Sequence, residues 1–307
     1  MGALEVEADE FPWEAVIDCI EDRALTAFLG AGISAPPLPD AATLAAKLIE
    51  ARKALYPFRS TGLMEVAQYW ATLEGQSAPK RQVRKVFEAI AQPDFRAPDQ
   101  PHRLLASLPI AVYLTTNYDL YMEQALVANH RMPHKEICRW NSGLRLRGRE
   151  VVHEEATSEH PLVYHLHGHI EDQESLVLTE DDYLDFMVNT RRFDDAANPD
   201  LRVIPPIVDE AIALNSLLFV GYSLKDWNLR VLLRTLVESA DKSARRLSVS
   251  VQLEPDDRTV VELGRHAAMR YLDKYFDGLR IRVYWGTMQN FLLELTRRWA
   301  DHVSDGQ

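Results

Sequence analysis

Cysteine is nearly missing: Cys19 and Cys138 are the only two in 307 residues. Two thiols cannot make a disulfide framework, and a four-cysteine zinc site is impossible within one such chain. Positive charge is scarce too. Lys and Arg number 34 against 46 Asp and Glu, a formal net charge of −12, which argues against a protein whose main task is to grip nucleic acid or an anionic membrane. No apolar run is long enough to span a bilayer, and Met1 to Glu10 is acidic where a leader would be basic and then apolar. Together these absences predict a cytoplasmic protein. Internal repeats, low-complexity tracts and a linker long enough to separate independent domains are also missing. What is present, 47% hydrophobic residues, suffices for a large buried core.

The stretch Ala24 to Ser34 organises the rest. Its apolar run is short enough for a buried strand, and it breaks into Gly30-Ala31-Gly32 before an Ala/Leu-rich amphipathic stretch that reads as a helix. Strand, small-residue turn, helix is how an open α/β sheet approaches phosphate, with glycines removing the Cβ and helix-start N–H groups facing the anion. The third glycine of the usual dinucleotide pattern is missing, so the turn alone is equally consistent with a purely structural joint.

Around it, the pattern alternates. Trp13, Val16, Ile17 and Ile20 mark a short amphipathic helix expected to cover one sheet edge. Asp40, after a proline-rich loop, is a candidate N-cap for a helix from about Ala41 to Leu55. Segments Gly62 to Leu73 and Pro79 to Ala91 read as helices, so 56–104 is taken as a helical insertion in which Lys80, Arg81, Arg84 and Lys85 form a solvated face. Ile110 to Thr115 is a strand, and Thr115-Thr116-Asn117-Tyr118-Asp119 stands at its end. Asn117 can meet sugar hydroxyls or a water and Asp119 an amide, or these residues cap the helix running from Leu120 to Ala128. Arg139, Arg145, Arg147 and Arg149 read as a solvated hairpin.

Leu162 to Leu166 is a further strand. His165, His167 and His169 would share one face of it if it continued, which suggests a metal, but Gly168 is expected to turn the chain and no carboxylate is placed nearby by spacing. No metal is predicted. The alternative is a single general base, since histidine titrates near neutrality. Leu176 to Leu178 reads as a short strand, Thr179 with Asp182 as a capping box, and Pro205-Pro206 as the start of a helix to Leu214; 171–211 is the second expected insertion. Leu217 to Ser223 repeats the logic of strand into glycine, with Asp226 capping a helix from Trp227 to Leu236. Arg246 to Leu253 and Leu279 to Trp285 are the last strands and Phe291 to Trp299 the closing helix. The alternation predicts an α/β fold, a Rossmann-like doubly wound parallel sheet with a helical insertion, forming one domain over 1–307.

Four motifs, Gly30-Ala31-Gly32-Ile33-Ser34, Thr115-Thr116-Asn117-Tyr118-Asp119, His167-Gly168 and Gly221-Tyr222-Ser223-Leu224, stand in the order and rough spacing of the sirtuin fold. Over about Ala24 to Leu295 the chain most resembles the bacterial sirtuin-like NAD-hydrolase branch, whose members serve as toxic effectors in antiphage defence. The resemblance implies that Gly30, Ala31, Gly32 and Ser34 hold the pyrophosphate and ribose of NAD, with Thr116 in the same binding set. Gly221 and Ser223 would take the adenosine side, and Gln252 would replace an asparagine near the adenine ribose. Asp119 would accept from the nicotinamide carboxamide, Asn117 would position ribose and attacking water, and His167 would be the base.

Two departures bear on the substrate. The zinc module beside the peptide groove of protein-deacylating sirtuins cannot be built here, and the aromatic and arginine that follow the glycine turn in those enzymes are replaced by Pro39-Asp40-Ala41-Ala42. The resemblance therefore implies an NAD hydrolase; an NAD-dependent deacylase or ADP-ribosyltransferase and a non-catalytic NAD-sensing module are the alternatives. NAD enters as substrate and no metal is expected. An unregulated activity of this kind would poison its host, so control by homo-oligomer formation or by a separately encoded partner, such as a translocase-type ATPase or an Argonaute-like protein, is expected.

Overall fold

The computed structural model describes residues 11–52, 56–147, 155–192, 202–223, 246–253 and 265–306. Seven strands form one sheet: β1 Leu25–Leu29, β2 Val112–Thr115, β3 His134–Ile137, β4 Leu162–His165, β5 Ser216–Val220, β6 Ser248–Gln252 and β7 Ile281–Trp285. Their order is β3-β4-β2-β1-β5-β6-β7, and every neighbouring pair is parallel. The five inner strands are buried at every position, as a parallel sheet covered on both faces requires.

Side chains alternate between those faces. Phe28, Leu114, Tyr164, Leu217 and Phe219 point into one core, filled by Tyr183 and Phe186 of α8 (Glu180–Arg192), Val208 and Ile212 of α9 (Pro206–Leu214) and Phe276 of α10 (Arg265–Asp277). Ala27, Leu29, Tyr113, Val163, Leu218 and Val220 face the other core. There they meet α1 (Trp13–Glu21), α5 (Pro101–Ala106), α6 (Tyr121–Ala128) and Phe291, Leu292 and Leu295 of α11 (Met288–Asp305). Each such fully buried Leu or Phe contributes roughly 1.5–3 kcal/mol. Helix α1 thus lies against the middle of a face, beside β1 and α11, and not on the expected edge, because its apolar stripe finds its partner there.

A third core is separate. Leu44, Ala45 and Leu48 of α2 (Ala41–Arg52), Val66, Ala67 and Trp70 of α3 (Leu63–Glu74), and Ala78 and Val83 of α4 (Ser77–Glu88) pack with Leu178 into a helical cap. The cap recruits α2 as well as the helices of 56–104, and α5 belongs to the sheet face instead. Within 171–211, α8 touches α3 while α9 lies on the sheet.

Two expectations fail locally. Leu176 to Leu178 forms no strand and follows a 3-10 turn at Gln173–Ser175; Val177 N donates to His167 O at 3.1 Å, without a ladder of such bonds. The Arg-rich segment is not a hairpin but edge strand β3 followed by α7 (Ser142–Leu146). The Asp226 cap, the helix from Trp227 to Leu236 and Arg149 lie outside the described residues.

Register places the site. Leu29 pairs with both Thr115 and Val220, and Thr115 with His165, so β4, β2, β1 and β5 end in one row. The chain leaves β1 for β2 on one side, and β5 adds on the other. In open α/β sheets this switch point is where a crevice opens.

Candidate active site

Two glycine turns interlock at that crevice. Gly30 N donates to Val220 O and Gly32 N to Gly221 O, both at 2.9 Å. Gly221 has a φ of 79°, and a Cβ there would stand 2.5 Å from Ile33 N and 2.6 Å from Gly30 O, which only glycine tolerates. The helix expected from about Ala41 begins there, as α2, beyond the proline-rich loop. One expectation is corrected: the glycines lead directly only into a single 3-10 turn, Ala31–Ile33, so no helix start stands at them. The amides of Gly32, Ile33 and Ser34 are spent on Gly221, Gly30 and Ala31 carbonyls. The turn therefore offers an anion close approach and no helix N-terminus.

Asn117, buried at the end of β2, is held on three sides. Its backbone N–H donates to Thr115 Oγ1 at 3.0 Å, and its Nδ2 donates to Gly30 O at 3.0 Å and reaches Ser34 Oγ at 3.4 Å. With the nitrogen committed, the carboxamide oxygen is left buried with no partner among the described residues. Gly30 O also accepts from Ile33 N at 3.2 Å. Asp119 accepts from Tyr121 N at 3.0 Å. Burial pushes its carboxyl up to about 6, while the Tyr121 N–H and the Ser34 hydroxyl hold it down.

His167 follows β4. Its ring meets Phe186 and Tyr183 edge to face, with centroids 5.1 and 5.8 Å apart, and its Nε2 is buried with no partner among the described residues. Burial drives its pKa down to about 4. The expectation of a histidine titrating near neutrality is thus corrected: this imidazole is neutral throughout the physiological range. Gly168 turns the chain as expected, at a φ of 72°. His165 points elsewhere, with Nε2 2.6 Å from Glu123 Oε1 and Nδ1 3.3 Å from Asn117 O, so it braces the Asn117 backbone from behind. Among the described residues no group of three or more His, Cys, Asp or Glu is placed to hold a metal ion.

A cleft of about 190 Å³, open to solvent, gathers Ala31, Ser34, Thr116, Asn117, Asp119, His167, Gly221 and Ser223 along its lining. A concave, largely apolar wall with a few convergent polar groups is the usual make-up of a small-molecule site. Gly30 and Gly32 stand behind the lining as members of the glycine joint. Gln252 is also outside it; its Nε2 donates to Tyr222 O at 2.9 Å and to Ser250 Oγ at 3.0 Å, which fits a brace for the Gly221 turn better than a ribose contact.

Tyr222, Tyr118 and Phe87 are among the lining residues with no site role read from the sequence. Tyr222 donates to Leu29 O at 2.9 Å while sharing a 2.7 Å bond with Thr116 Oγ1. Tyr118 donates to Val177 O at 2.6 Å, and Phe87 of the cap closes the apolar wall with Leu44 and Leu63. The two tyrosines lie inside the four motifs, so the signal was present; Phe87 sits in a helix whose pattern says only that it is buried.

Lys80 also departs from expectation. It is buried, pairs with Asp182 at 2.9 Å and lies 5.5 Å over the Trp140 ring, because α4 turns this position toward α8. The arginine cluster is likewise tied down. Arg139 pairs with Glu136, Arg145 with backbone carbonyls and Arg147 with Asp172 and Glu174.

The profile described as a SIR2-like domain matches residues 111–276. Curated relatives named NAD(+) hydrolase ThsA align from several organisms. That of Cytobacillus dafuensis is 30% identical over 57% of this chain and 30% of its own length. That of Acinetobacter baumannii (strain 532279) is 25% identical over 72% and 40%. The Enterococcus faecium protein is 28% identical over 57% and 32%. The chain thus spans well under half the length of these relatives. A chain from a structural account of Sir2 enzymes overlays 95% of this one and 99% of itself, at a TM-score of 0.44 and 13% identity. With the profile covering more than half of its residues, on a parallel sheet that brings the four motifs to one crevice, the chain belongs to the SIR2-like family.

Proposed function

We propose that this chain hydrolyses NAD at the bond between nicotinamide and ribose, releasing nicotinamide and ADP-ribose. The observation that carries the reading is a pair of buried polar atoms without a partner among the described residues, Asn117 Oδ1 and His167 Nε2, on residues that line one cleft. A buried polar atom without a partner is costly, roughly 1–3 kcal/mol, and a ligand that supplies hydroxyls or a water removes that cost. The names of the relatives, NAD(+) hydrolases, support the choice of ligand.

In this reading the dinucleotide lies across the glycine joint, its pyrophosphate near Ala31 and Ser34 and its adenosine toward Gly221 and Ser223. Asp119 accepts from the nicotinamide carboxamide. As the glycosidic bond breaks, its electron pair passes to the pyridinium ring and neutralises it. The ribose carbon becomes oxocarbenium-like and takes the oxygen of one water held by Asn117 Oδ1. His167, neutral and with its proton on Nδ1, accepts at Nε2 from a ribose hydroxyl or from that water. Apolar walls from Phe87, Leu44 and Leu63 exclude other water, which strengthens each of these contacts.

The test is chromatography of NAD incubated with wild type and with His167→Ala. Nicotinamide and ADP-ribose in equal amounts from wild type, nearly lost in the variant, is the expected result. NAD binding without release of nicotinamide would replace hydrolysis with a sensing role. We further infer that the activity serves NAD depletion in antiphage defence, restrained by self-assembly or a separately encoded partner, since unrestrained turnover would consume the host's own cofactor. Full activity of the isolated monomer, unchanged by protein concentration, would count against that restraint.

A further inference from the structure

Where the ladder between β2 and β4 runs out, a side chain takes over. Leu166 N still donates to Thr115 O at 2.8 Å, but two residues further along, the carbonyl of Asn117 meets the ring of His165, with Nδ1 3.3 Å from Asn117 O. Among the described residues that carbonyl accepts no other bond. His165 closes β4, and His167 follows two positions later. The contact therefore ties the peptide of Asn117 to the segment that carries His167.

On its other side the ring meets α6. Nε2 lies 2.6 Å from Oε1 of Glu123, in the first turn of that helix. Both ring nitrogens thus face acceptors, one a carbonyl and one a carboxyl oxygen. A neutral imidazole owns a single N–H and can serve only one of them. Both contacts close when ring and carboxyl hold two protons between them, one on Nδ1 and one in the gap between Nε2 and Oε1. The shortness of that gap favours this count, since charge-assisted bonds run shorter than neutral N–H···O bonds. Burial favours it as well. His165 is fully buried, and Glu123 Oε2 is buried with no partner among the described residues, so a bare carboxylate beside a neutral ring would have little to offset its charge. A single proton on Nε2 would also set the Nδ1 lone pair against a carbonyl oxygen that then has no donor.

The surrounding groups are consistent with that arrangement. His169 meets the His165 ring edge to face at 5.3 Å and is neutral, because burial pushes its pKa down to about 4. Lys135 of β3 is paired with Glu171. Asp119, which burial pushes up to about 6, is held down in part by the charge of His165.

We propose that His165 is a positioning residue whose Nδ1–H, kept in place by Glu123, donates to the Asn117 carbonyl and so fixes the aim of the Asn117 carboxamide and its spacing from His167. The kinetic consequence rests on the NAD-cleaving reading above; the hydrogen bond does not. Asn117 N is bonded to Thr115 Oγ1 and Nδ2 to Gly30 O. With His165 on the carbonyl, Oδ1 is the one polar atom of the residue left for a ligand. Without that donor the peptide between Asn117 and Tyr118 is free to swing, and Oδ1 leaves the place where it would hold a water. The glycine joint is untouched, so the loss falls on kcat.

Two measurements test the proposal. Nitrogen-15 NMR of the whole protein at neutral pH reads which His165 nitrogens carry protons without any turnover, assigned by the resonances lost in His165→Asn. A proton on Nδ1 is expected, and a bare Nδ1 overturns the proposal. Kinetics then compare His165→Asn, whose amide nitrogen can stand near the Nδ1 position, with His165→Gln, whose amide reaches the Nε2 position and leaves Asn117 O without a donor. Each is combined with Glu123→Gln, so that neither strands a buried carboxylate. Both also remove the ring charge that acts on Asp119, and their difference reports the donor alone. The His165→Gln form should lower kcat by about 10–100-fold with KM little changed; the His165→Asn form should recover most of it. Equal kcat in the two, or a loss confined to KM, overturns the proposal. If either form does not fold, the wild-type ring decides. A proton on Nδ1 in a protein that releases no nicotinamide would support the brace while removing the proposed activity.

Discussion

Two walls of the same cleft are built on different rules. The ends of the inner strands supply Asn117, Asp119, His167 and the glycine joint, where the Asn117 nitrogens, the Asp119 carboxylate and the glycine amides are hydrogen-bonded within and between the turns. The cap supplies Leu44, Leu63 and Phe87, apolar side chains on helices with a core of their own. Among the described residues it is joined to the rest by, among others, the buried Lys80–Asp182 pair, Lys80 over the Trp140 ring, the bonds between Gln68 and Asp181, the Phe87–Tyr118 ring contact at 6.3 Å and Leu178. Moving the wall of strand ends breaks hydrogen bonds, whereas the cap meets the cleft through apolar side chains. Chemistry and fit are therefore assigned to different walls.

Substitutions should respect that division. On the wall of strand ends, His167→Ala and Asn117→Ala should each lower NAD turnover by ~10²–10⁴-fold while nucleotide affinity, read by calorimetry, changes little; a variant keeping most of its turnover breaks the comparison. At the fastening, Lys80→Met strands a buried carboxylate. Breaking such a pair costs about 3–5 kcal/mol, and since Asp182 retains the Leu178 and Thr179 N–H bonds, the lower end is expected in urea denaturation. In the joint, Gly221→Ala forces a side chain into left-handed backbone. A strain of about 1–3 kcal/mol should appear as lost stability together with weaker nucleotide binding. On the cap, Phe87→Leu should raise KM a few-fold with kcat within about twofold, a change under ~1.5 kcal/mol. A large fall in kcat there would mean that the cap contributes to the chemistry.

The features of this design that local chemistry dictates were readable beforehand. Strand-to-glycine transitions at Gly30 and Gly221 follow from apolar runs ending in residues without a Cβ, and Asp40 caps α2 at 2.8 Å through Thr43 N as its position suggests. The Thr179–Asp182 box closes reciprocally at 3.1 and 3.0 Å. What escaped was set by tertiary context. Strand β3, His-Lys-Glu-Ile, is half-exposed at the sheet edge and carries no apolar alternation, while α10 buries only Leu272 and Phe276 among its described contacts with the core. Lys80 reads as surface because nothing nearby in sequence announces Asp182, 102 positions away. The contacts of Ser34 with His102 and of Asn117 with Gly30 join separate stretches of chain, and no spacing rule connects them.

The carbonyl of Gly30 accepts from Ile33 in the turn and from the side chain of Asn117. One oxygen thus anchors both the glycine turn and the side chain of residue 117. Under the proposed function, the group that settles on the turn and the group that meets the carboxamide are therefore held at one fixed spacing, and a substitution that displaces this carbonyl should weaken both contacts together.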